Sequence, residues 1–343
     1  MMMKTTAIQL IKNGTAEQAF EEKEIALPEL EDDEVQIEVE SFGLNYADVM
    51  ARNGLYREAP PLPCVLGYEV VGKIVATGKD VSDHLKGKRV VAFTRFGGYA
   101  KHVHTKEIAV AEISDYDSGK ALCLATQYVT AFYMSHVATT VQKGDCVLIH
   151  AAAGGVGTAL IQLLKGKEAT IFAKTGSEHK KTYLEELGVD HIINYNKQDY
   201  GDQIQHILKR QRLDISFNPV AGSTFKKDWR LLGNGGSLIL FGGSERSGKK
   251  WGILSTLNFV RKMGIIIPIT LMMRSKSILG INMLKVADYK PYTLEFCLKA
   301  VVEKALNDEI HPQVGATYSA DELPEAHAFL ESGKSTGKVV VNW

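Results

Sequence analysis

The segment CVLIHAAAGGVGTALIQLL, residues 146–164, limits what this chain can fold into more than any other stretch. CVLIH (146–150) is a continuous apolar run, which suits a strand covered on both faces. A cluster of small residues follows and opens a helix that runs through Leu164. The start of a helix carries N–H groups with no intrahelical partner and the positive end of the dipole, so a small-residue turn there can set backbone directly against a phosphate. The turn matches the dinucleotide fingerprint with Ala152 in its first position, Gly154 and Gly157 in the other two, and Gly155 added. Ala153, Gly154, Gly155, Val156 and Gly157 are therefore the expected phosphate contacts. The alternative is tight helix-on-strand packing without a ligand, and the surrounding pattern argues against it.

From about residue 123 onward, strand and helix alternate. TIFA (170–173), HII (191–193), DIS (214–216) and SLILF (237–241) read as strands, and 178–187, 202–210 and 224–232 as helices between them. SILGI (277–281) adds a last strand. Repeated βα units imply a parallel, doubly wound sheet. Residues 1–120 follow another pattern. Val35, Ile37 and Val39 alternate with Glu34, Gln36, Glu38 and Glu40, and β-rich runs at 68–77, 88–93 and 99–103 follow between Gly, Asp and Lys turns. These predict an antiparallel, barrel-like domain. A helix at about 293–306 and the strand KVVV (338–341) are expected to return to it. The expected division is 1–123 and 287–343 for the β domain and 124–286 for the inserted α/β domain, in keeping with 343 residues exceeding a single small core.

The end of the second parallel strand selects the nucleotide. A carboxylate there, about 20 residues after the turn, holds the ribose hydroxyls of NAD. TIFA is instead followed by KTGSEHKK, in which Lys174, Ser177 and Lys180 cluster. A 2′-phosphate is a dianion that requires cations and donors, so NADPH is the expected cofactor. Ser177 as a helix N-cap beside a solvated lysine face is the alternative, and the two roles are compatible.

Bulk properties exclude several classes. Forty basic and forty acidic residues cancel, leaving no long-range field to gather nucleic acid. The four cysteines lie far apart without a C-x-x-C pair, which suits neither a disulfide framework nor a thiolate zinc site. The opening residues lack the apolar core of a secretory signal, and the run MGIIIPITLMM (263–273) is about half the ~20 residues of a spanning helix. A cytoplasmic protein is expected.

GLNYADVMARNGLY (43–56), GYEVVGKIVATG (67–78), TAFY (130–133), HAAAGGVG (150–157) and GKSTGKVVV (333–341) together resemble the zinc-free quinone-oxidoreductase-like medium-chain dehydrogenases/reductases, nearly end to end. The long apolar segment at 251–275 and PPLPCVLGYEVVG look most like the branch of vesicle amine transport protein-like oxidoreductases. The resemblance implies a Rossmann domain inserted into a GroES-like catalytic domain, a cleft between them, and homodimers paired through the last Rossmann strand. It places Asn45 and Tyr56 at the reacting centre, Asn45 beside the nicotinamide and Thr130 near the same ring. It assigns Ser177, Lys180 and Tyr195 to the 2′-phosphate, and it adds Gly242, directly after SLILF, and Lys334 as cofactor contacts. Met50 stands where many quinone reductases carry a second tyrosine, which weakens the expectation of small-quinone activity.

Zinc-dependent relatives hold catalytic metal through two cysteines and the histidine of G-H-E. The corresponding positions here are Asn45, Tyr68 and Thr126, none a good zinc ligand. Cys123 reads as a small buried hydrophobe, Asp48 as a residue that orders local backbone, and His102/His104 as strand neighbours without a third ligand. The expected activity is metal-free hydride transfer to a quinone or an α,β-unsaturated carbonyl, where the arriving charge spreads and fixed donors can stabilise it. A second reading is a peripheral membrane or interaction protein with weak or no turnover, because RKMGIIIPITLMMRSK sets an apolar run between cations. The same segment could instead wall a substrate cleft or cover a dimer interface.

Overall fold

The strand–helix alternation builds a six-stranded, wholly parallel sheet. The strands lie in the order His191–Asn194, Thr170–Thr175, Cys146–Ile149, Leu213–Asn218, Leu232–Leu240, Ser277–Gly280. The computed structural model describes residues 3–246 and 252–343. Strand order reverses beside Cys146–Ile149, the first strand of the set. In doubly wound sheets ligands bind at the carboxyl ends of the strands at that reversal. Val147, Leu148 and Ile149 are fully buried, as a strand covered on both faces requires. The helix Gly155–Leu164 buries Ala159, Leu160, Ile161, Leu163 and Leu164. The helix Tyr200–Leu208 contributes Tyr200, Ile204 and Leu208 to a core with Phe172, Ile193, Phe225 and Leu238.

This unit comprises Ala131–Asn282, and it lies in sequence between the two parts of a second unit, the residues up to Thr130 and Met283–Trp343. These limits fall a few residues from the expected 123/124 and 286/287, because the helical run from Ser118 to Ala138 carries no break at 123.

The second unit is built on a seven-stranded sheet. Val314–Ser319, Lys338–Asn342, Glu34–Leu44, Glu69–Thr77, Arg89–Phe93 and Val110–Glu112 follow one another, and His102–Lys106 pairs with Glu34–Leu44. The C-terminal return is thus a strand, Lys338–Asn342, set antiparallel to Ser41–Leu44. Along Glu34–Leu44, Val35, Ile37 and Val39 are buried and Glu38 and Glu40 exposed, as the alternation predicts. Gln36 departs from it and is buried. Register shifts after Gln36 and Val39 bend this strand and re-aim its last residues. Phe42, Leu44, Leu66, Val70 and Tyr99 fill the core.

Residues 252–263 and 268–274 form two helices that leave an apolar surface bare. Leu257, Val260, Ile265, Ile267, Ile269, Met272 and Met273 are all more than half exposed, Ile265 at 94%. Trp251, at the start of the apolar segment read from the sequence, lies outside the described residues.

Candidate functional site

The glycine-rich turn is fixed by backbone from two neighbouring strands and by a bond of its own. The N–H of His150 donates to Phe217 O (3.0 Å), that of Ala152 to Lys174 O (3.1 Å), and that of Gly154 to Ala151 O (2.8 Å). Ala151 takes a positive φ of 49°, which turns the chain out of the strand. A Cβ on Gly157 would meet Ala151 O and the Ala152 Cα and O at 2.6 Å, all backbone. Only glycine lets the helix start this close to the strand. The first amides of Gly155–Leu164 thereby emerge beside Ala153 and Gly154, where an anion can sit. Gly242 makes a similarly close approach after Leu240, since a Cβ there would lie 2.7 Å from Pro219 O.

The second strand runs to Thr175, two residues beyond the expected TIFA, because Lys174 and Thr175 stay paired with Ile193 and Asn194. This corrects the place of Lys174. Its ammonium does not join a surface cluster with Ser177 and Lys180 but turns inward and is only 6% exposed. It lies 3.2 Å from His150 Nδ1 and over the rings of Tyr195 and Tyr200, at 4.5 and 4.3 Å from their centroids. The other face of His150 sets Nε2 at 2.8 Å from Asp228 Oδ2, an ion-pair distance without the alignment of a standard hydrogen bond. Asp228 accepts from Tyr200 (2.7 Å), Ser216 (2.8 Å) and Asn218 (2.6 Å). Burial opposes its ionisation, yet His150, Tyr200 and Ser216 hold its carboxyl below the usual range. Burial pushes the Lys174 amine down to about 8.

Lys174 therefore releases its proton near pH 8 when folded and near 10.5 when unfolded. Between those values the unfolded chain binds more protons, so this lysine makes stability rise with pH. Lys174→Met is expected to abolish that slope: from pH 7.5 to 9.5 the native chain should gain about 2 kcal/mol relative to the variant in chemical denaturation. Parallel profiles for the two proteins would show that Lys174 is solvated.

Ser177 and Tyr195 follow the ends of two neighbouring strands, whose residues Thr175 and Asn194 are paired. Tyr195 donates its N–H to Thr175 O (3.2 Å), its hydroxyl lies over Gly176, and its ring is 48% exposed. Ser177 precedes the turn Glu178–Lys180 without capping it through its side chain, which meets His179 instead. The first acid after the strand in sequence, Glu178, is engaged by Lys197 (2.9 Å) and Asn194 (3.0 Å).

The other unit holds a buried polar network. Asn45 precedes the helix Tyr46–Arg52, and its N–H donates to Asp48 Oδ2 at 2.8 Å. Asp48 Oδ1 accepts the Gly67 N–H at 3.2 Å, so this residue ties two backbone segments together. Burial, assisted by the charge of Glu69, raises the Asp48 carboxyl to about 7. The Asn45 amide is clamped on both sides: Nδ2 donates to Glu69 Oε1 (2.7 Å) and Oδ1 accepts from Lys338 Nζ (3.0 Å). Lys338 and Glu69 are themselves a fully buried ion pair. A side chain on Gly43 would collide with both. Burial raises the Glu69 carboxyl, and Lys338 and Asn45 work against that rise.

Tyr56 is half-buried, with its ring edge-on to Tyr68 at 6.3 Å, and burial raises its phenol to about 12. Thr130 is buried in the helix Val129–Phe132. Lys334 is exposed in the loop before the last strand. Sequence reasoning did not place Glu69 and Lys338 at the site. The only sequence signals were the acid of GYE and the lysine of GKVVV.

The three positions that correspond to zinc ligands hold an amide and two hydroxyls. Asn45 spends its oxygen on Lys338, and the hydroxyls of Tyr68 and Thr126 are weak ligands for zinc. Cys123 donates to Gly119 O, and burial pushes its thiol up to about 12, so it offers no thiolate. The donor set does not fit zinc.

Two family models match the chain, the alcohol dehydrogenase GroES-like domain over residues 31–131 and the zinc-binding dehydrogenase domain over 155–299. The chain belongs to the medium-chain dehydrogenase/reductase family, with a GroES-like domain and a Rossmann sheet. It is 29% identical over 319 residues to the zebrafish synaptic vesicle membrane protein VAT-1 homolog, covering 92% of this chain and 65% of that protein, less than two thirds of its length. It is 27% identical over 338 residues to human quinone oxidoreductase, covering 98% and 97% of the two chains. The structure of Escherichia coli quinone oxidoreductase complexed with NADPH superposes with a TM-score of 0.85 at 23% identity, over 98% of this chain and all of that one.

Proposed function

We propose that this chain is a zinc-independent, NADPH-dependent oxidoreductase that reduces quinones or α,β-unsaturated carbonyl compounds by hydride transfer. The observation that carries the reading is the amide–hydroxyl set at Asn45, Tyr68 and Thr126, in a chain that keeps the phosphate-binding turn. When bound, the reduced nicotinamide supplies the hydride. Without a Lewis acid, the acceptor must spread the arriving charge, as an enone, enal or quinone does. In this reading Ala153–Gly157 hold the pyrophosphate, with Gly242, Thr130 and Lys334 as further contacts. Ser177, Lys180 and Tyr195 hold the 2′-phosphate. Asn45 and Tyr56 stand at the reacting centre, and the Glu69–Lys338 pair fixes which way the Asn45 amide faces. The edge strand Ser277–Gly280 is the proposed pairing edge of a homodimer.

The test is NADPH oxidation with quinones, enals, enones and 2-enoyl thioesters, before and after dialysis against a chelator, with zinc measured on the same protein. Turnover with at least one class, insensitive to the chelator and without stoichiometric zinc, is expected. One tightly held zinc per chain would sink the metal-free mechanism.

A second reading, contact with a membrane surface and weak turnover, is favoured by one observation. Residues 256–274 are long and apolar enough to cross a bilayer by length and composition, and none is buried. Within them Arg261, Lys262 and Arg274 bracket the apolar run 263–273, a pattern suited to shallow insertion beside anionic headgroups. Co-sedimentation with anionic vesicles together with no turnover in the acceptor screen would favour this reading over the first.

A further inference from the structure

We propose that Tyr68 is a catalytic residue whose hydroxyl donates a hydrogen bond to the substrate's carbonyl oxygen, taking the place of the metal in zinc-dependent relatives. The proposal rests on the reductase reading above and adds the group that receives the developing charge.

Tyr68 is 3% exposed, and its hydroxyl makes no hydrogen bond of standard geometry among the described residues, the Tyr56 hydroxyl being the polar group that it faces. A buried donor without a well-formed hydrogen bond carries a desolvation penalty, and phenylalanine would avoid it. The same is true of Thr126, whose Oγ1 is buried without a partner. Two of the three positions that correspond to metal ligands thus present hydroxyls without a hydrogen bond of standard geometry, while the third, Asn45, has one amide hydrogen left after Glu69 takes the other.

The surroundings suit the role. The Tyr68 ring is walled by Tyr56 at 6.3 Å and by Phe96 at 5.2 Å, and a fixed donor acts more strongly in such a dry pocket than in water. Its backbone is held too, since Tyr68 O accepts the Thr94 N–H at 2.9 Å and Glu69 is locked to Lys338. Burial, with Asp48 and Tyr56 adding to it, keeps the phenol protonated far beyond working pH. Tyr68 therefore donates a hydrogen bond and keeps its proton. A bound reduced nicotinamide would give up the hydride of its C4–H bond and be left oxidised; as the new C–H bond forms at the β-carbon, the alkene pair would shift toward the carbonyl, leaving an enolate oxygen for Tyr68 to hold. A solvent proton then completes the product.

Two measurements test this. With the best acceptor from the screen, Tyr68→Phe should lower kcat about 10²–10³-fold while KM and NADPH affinity change little. The thermal midpoint should stay level or rise. Thr126→Val should act in the same direction with a smaller effect. A deuterium isotope effect with deuterated NADPH confirms that hydride transfer limits the rate. The second probe is 4-dimethylaminocinnamaldehyde with oxidised NADP⁺, because a conjugated aldehyde absorbs further to the red when its carbonyl accepts a hydrogen bond. A red shift in the native protein that is lost in Tyr68→Phe supports the donor role even if no acceptor turns over, in which case only the reductase reading falls. A kcat within twofold of native under isotope-sensitive conditions, or the same spectrum in both proteins, overturns the proposal.

Discussion

Replacement of Lys338 by methionine is expected to destabilise the protein by about 3–5 kcal/mol at pH 8. Removing one partner of a buried ion pair strands the other charge without water. Lys338 and Glu69 are both fully buried, 269 residues apart in sequence, and the ammonium also serves the Asn45 amide oxygen. Loss of the lysine leaves Glu69 with only the Asn45 N–H. Its second oxygen, Oε2, already lacks a hydrogen-bond partner among the described residues. The loss should shrink with acidity. A carboxyl raised in the folded state contributes stability below its unfolded value and loses it as pH rises through the folded one. Burial already raises Glu69, and removing the cation raises it further. Chemical denaturation of Lys338→Met should therefore show a larger deficit at pH 8 than at pH 5. Glu69→Leu added to Lys338→Met should recover most of it, since an apolar pair does not strand a charge. A single-variant loss below about 1 kcal/mol would mean the pair is solvated.

The parts of this molecule that were legible in sequence share one property: their cause is local. The apolar run Cys146–His150 and its glycine turn, and the alternation Val35–Ile37–Val39, carry their packing in the pattern itself. The turn followed for the same reason, since Gly157 is required by backbone only a few residues away. What escaped is tertiary. Lys174 followed the apparent strand end and read as a surface cation, whereas two more ladder pairs carry it inward toward His150 and Asp228. Glu69 and Lys338 sit in motifs that mark the family, but nothing in either motif announces that they meet. Tyr68 was legible as a missing metal ligand. That its hydroxyl makes no hydrogen bond of standard geometry is visible only once its neighbours are placed.

Preference for NADPH over NADH follows from the same corner of the Rossmann sheet. No carboxylate stands at Lys174 or Thr175, where the strand ends, and Glu178 is held by Lys197 and Asn194. Ser177 and Tyr195 follow the paired strand ends there, with Lys180 three residues beyond Ser177 and Lys174 beneath the Tyr195 ring. Each charge-assisted hydrogen bond to a 2′-phosphate contributes about 1.5–3 kcal/mol, so one or two give roughly ten- to several-hundred-fold discrimination. Added salt should narrow the gap, because a pocket open to a nucleotide is also open to ions. Titration by nicotinamide fluorescence gives both dissociation constants, and it is the most direct test of the account. The native protein should bind NADPH at least tenfold more tightly than NADH, and Lys180→Ala should weaken NADPH while leaving NADH nearly unchanged. Equal affinity for the two nucleotides, or tighter NADH, would contradict it.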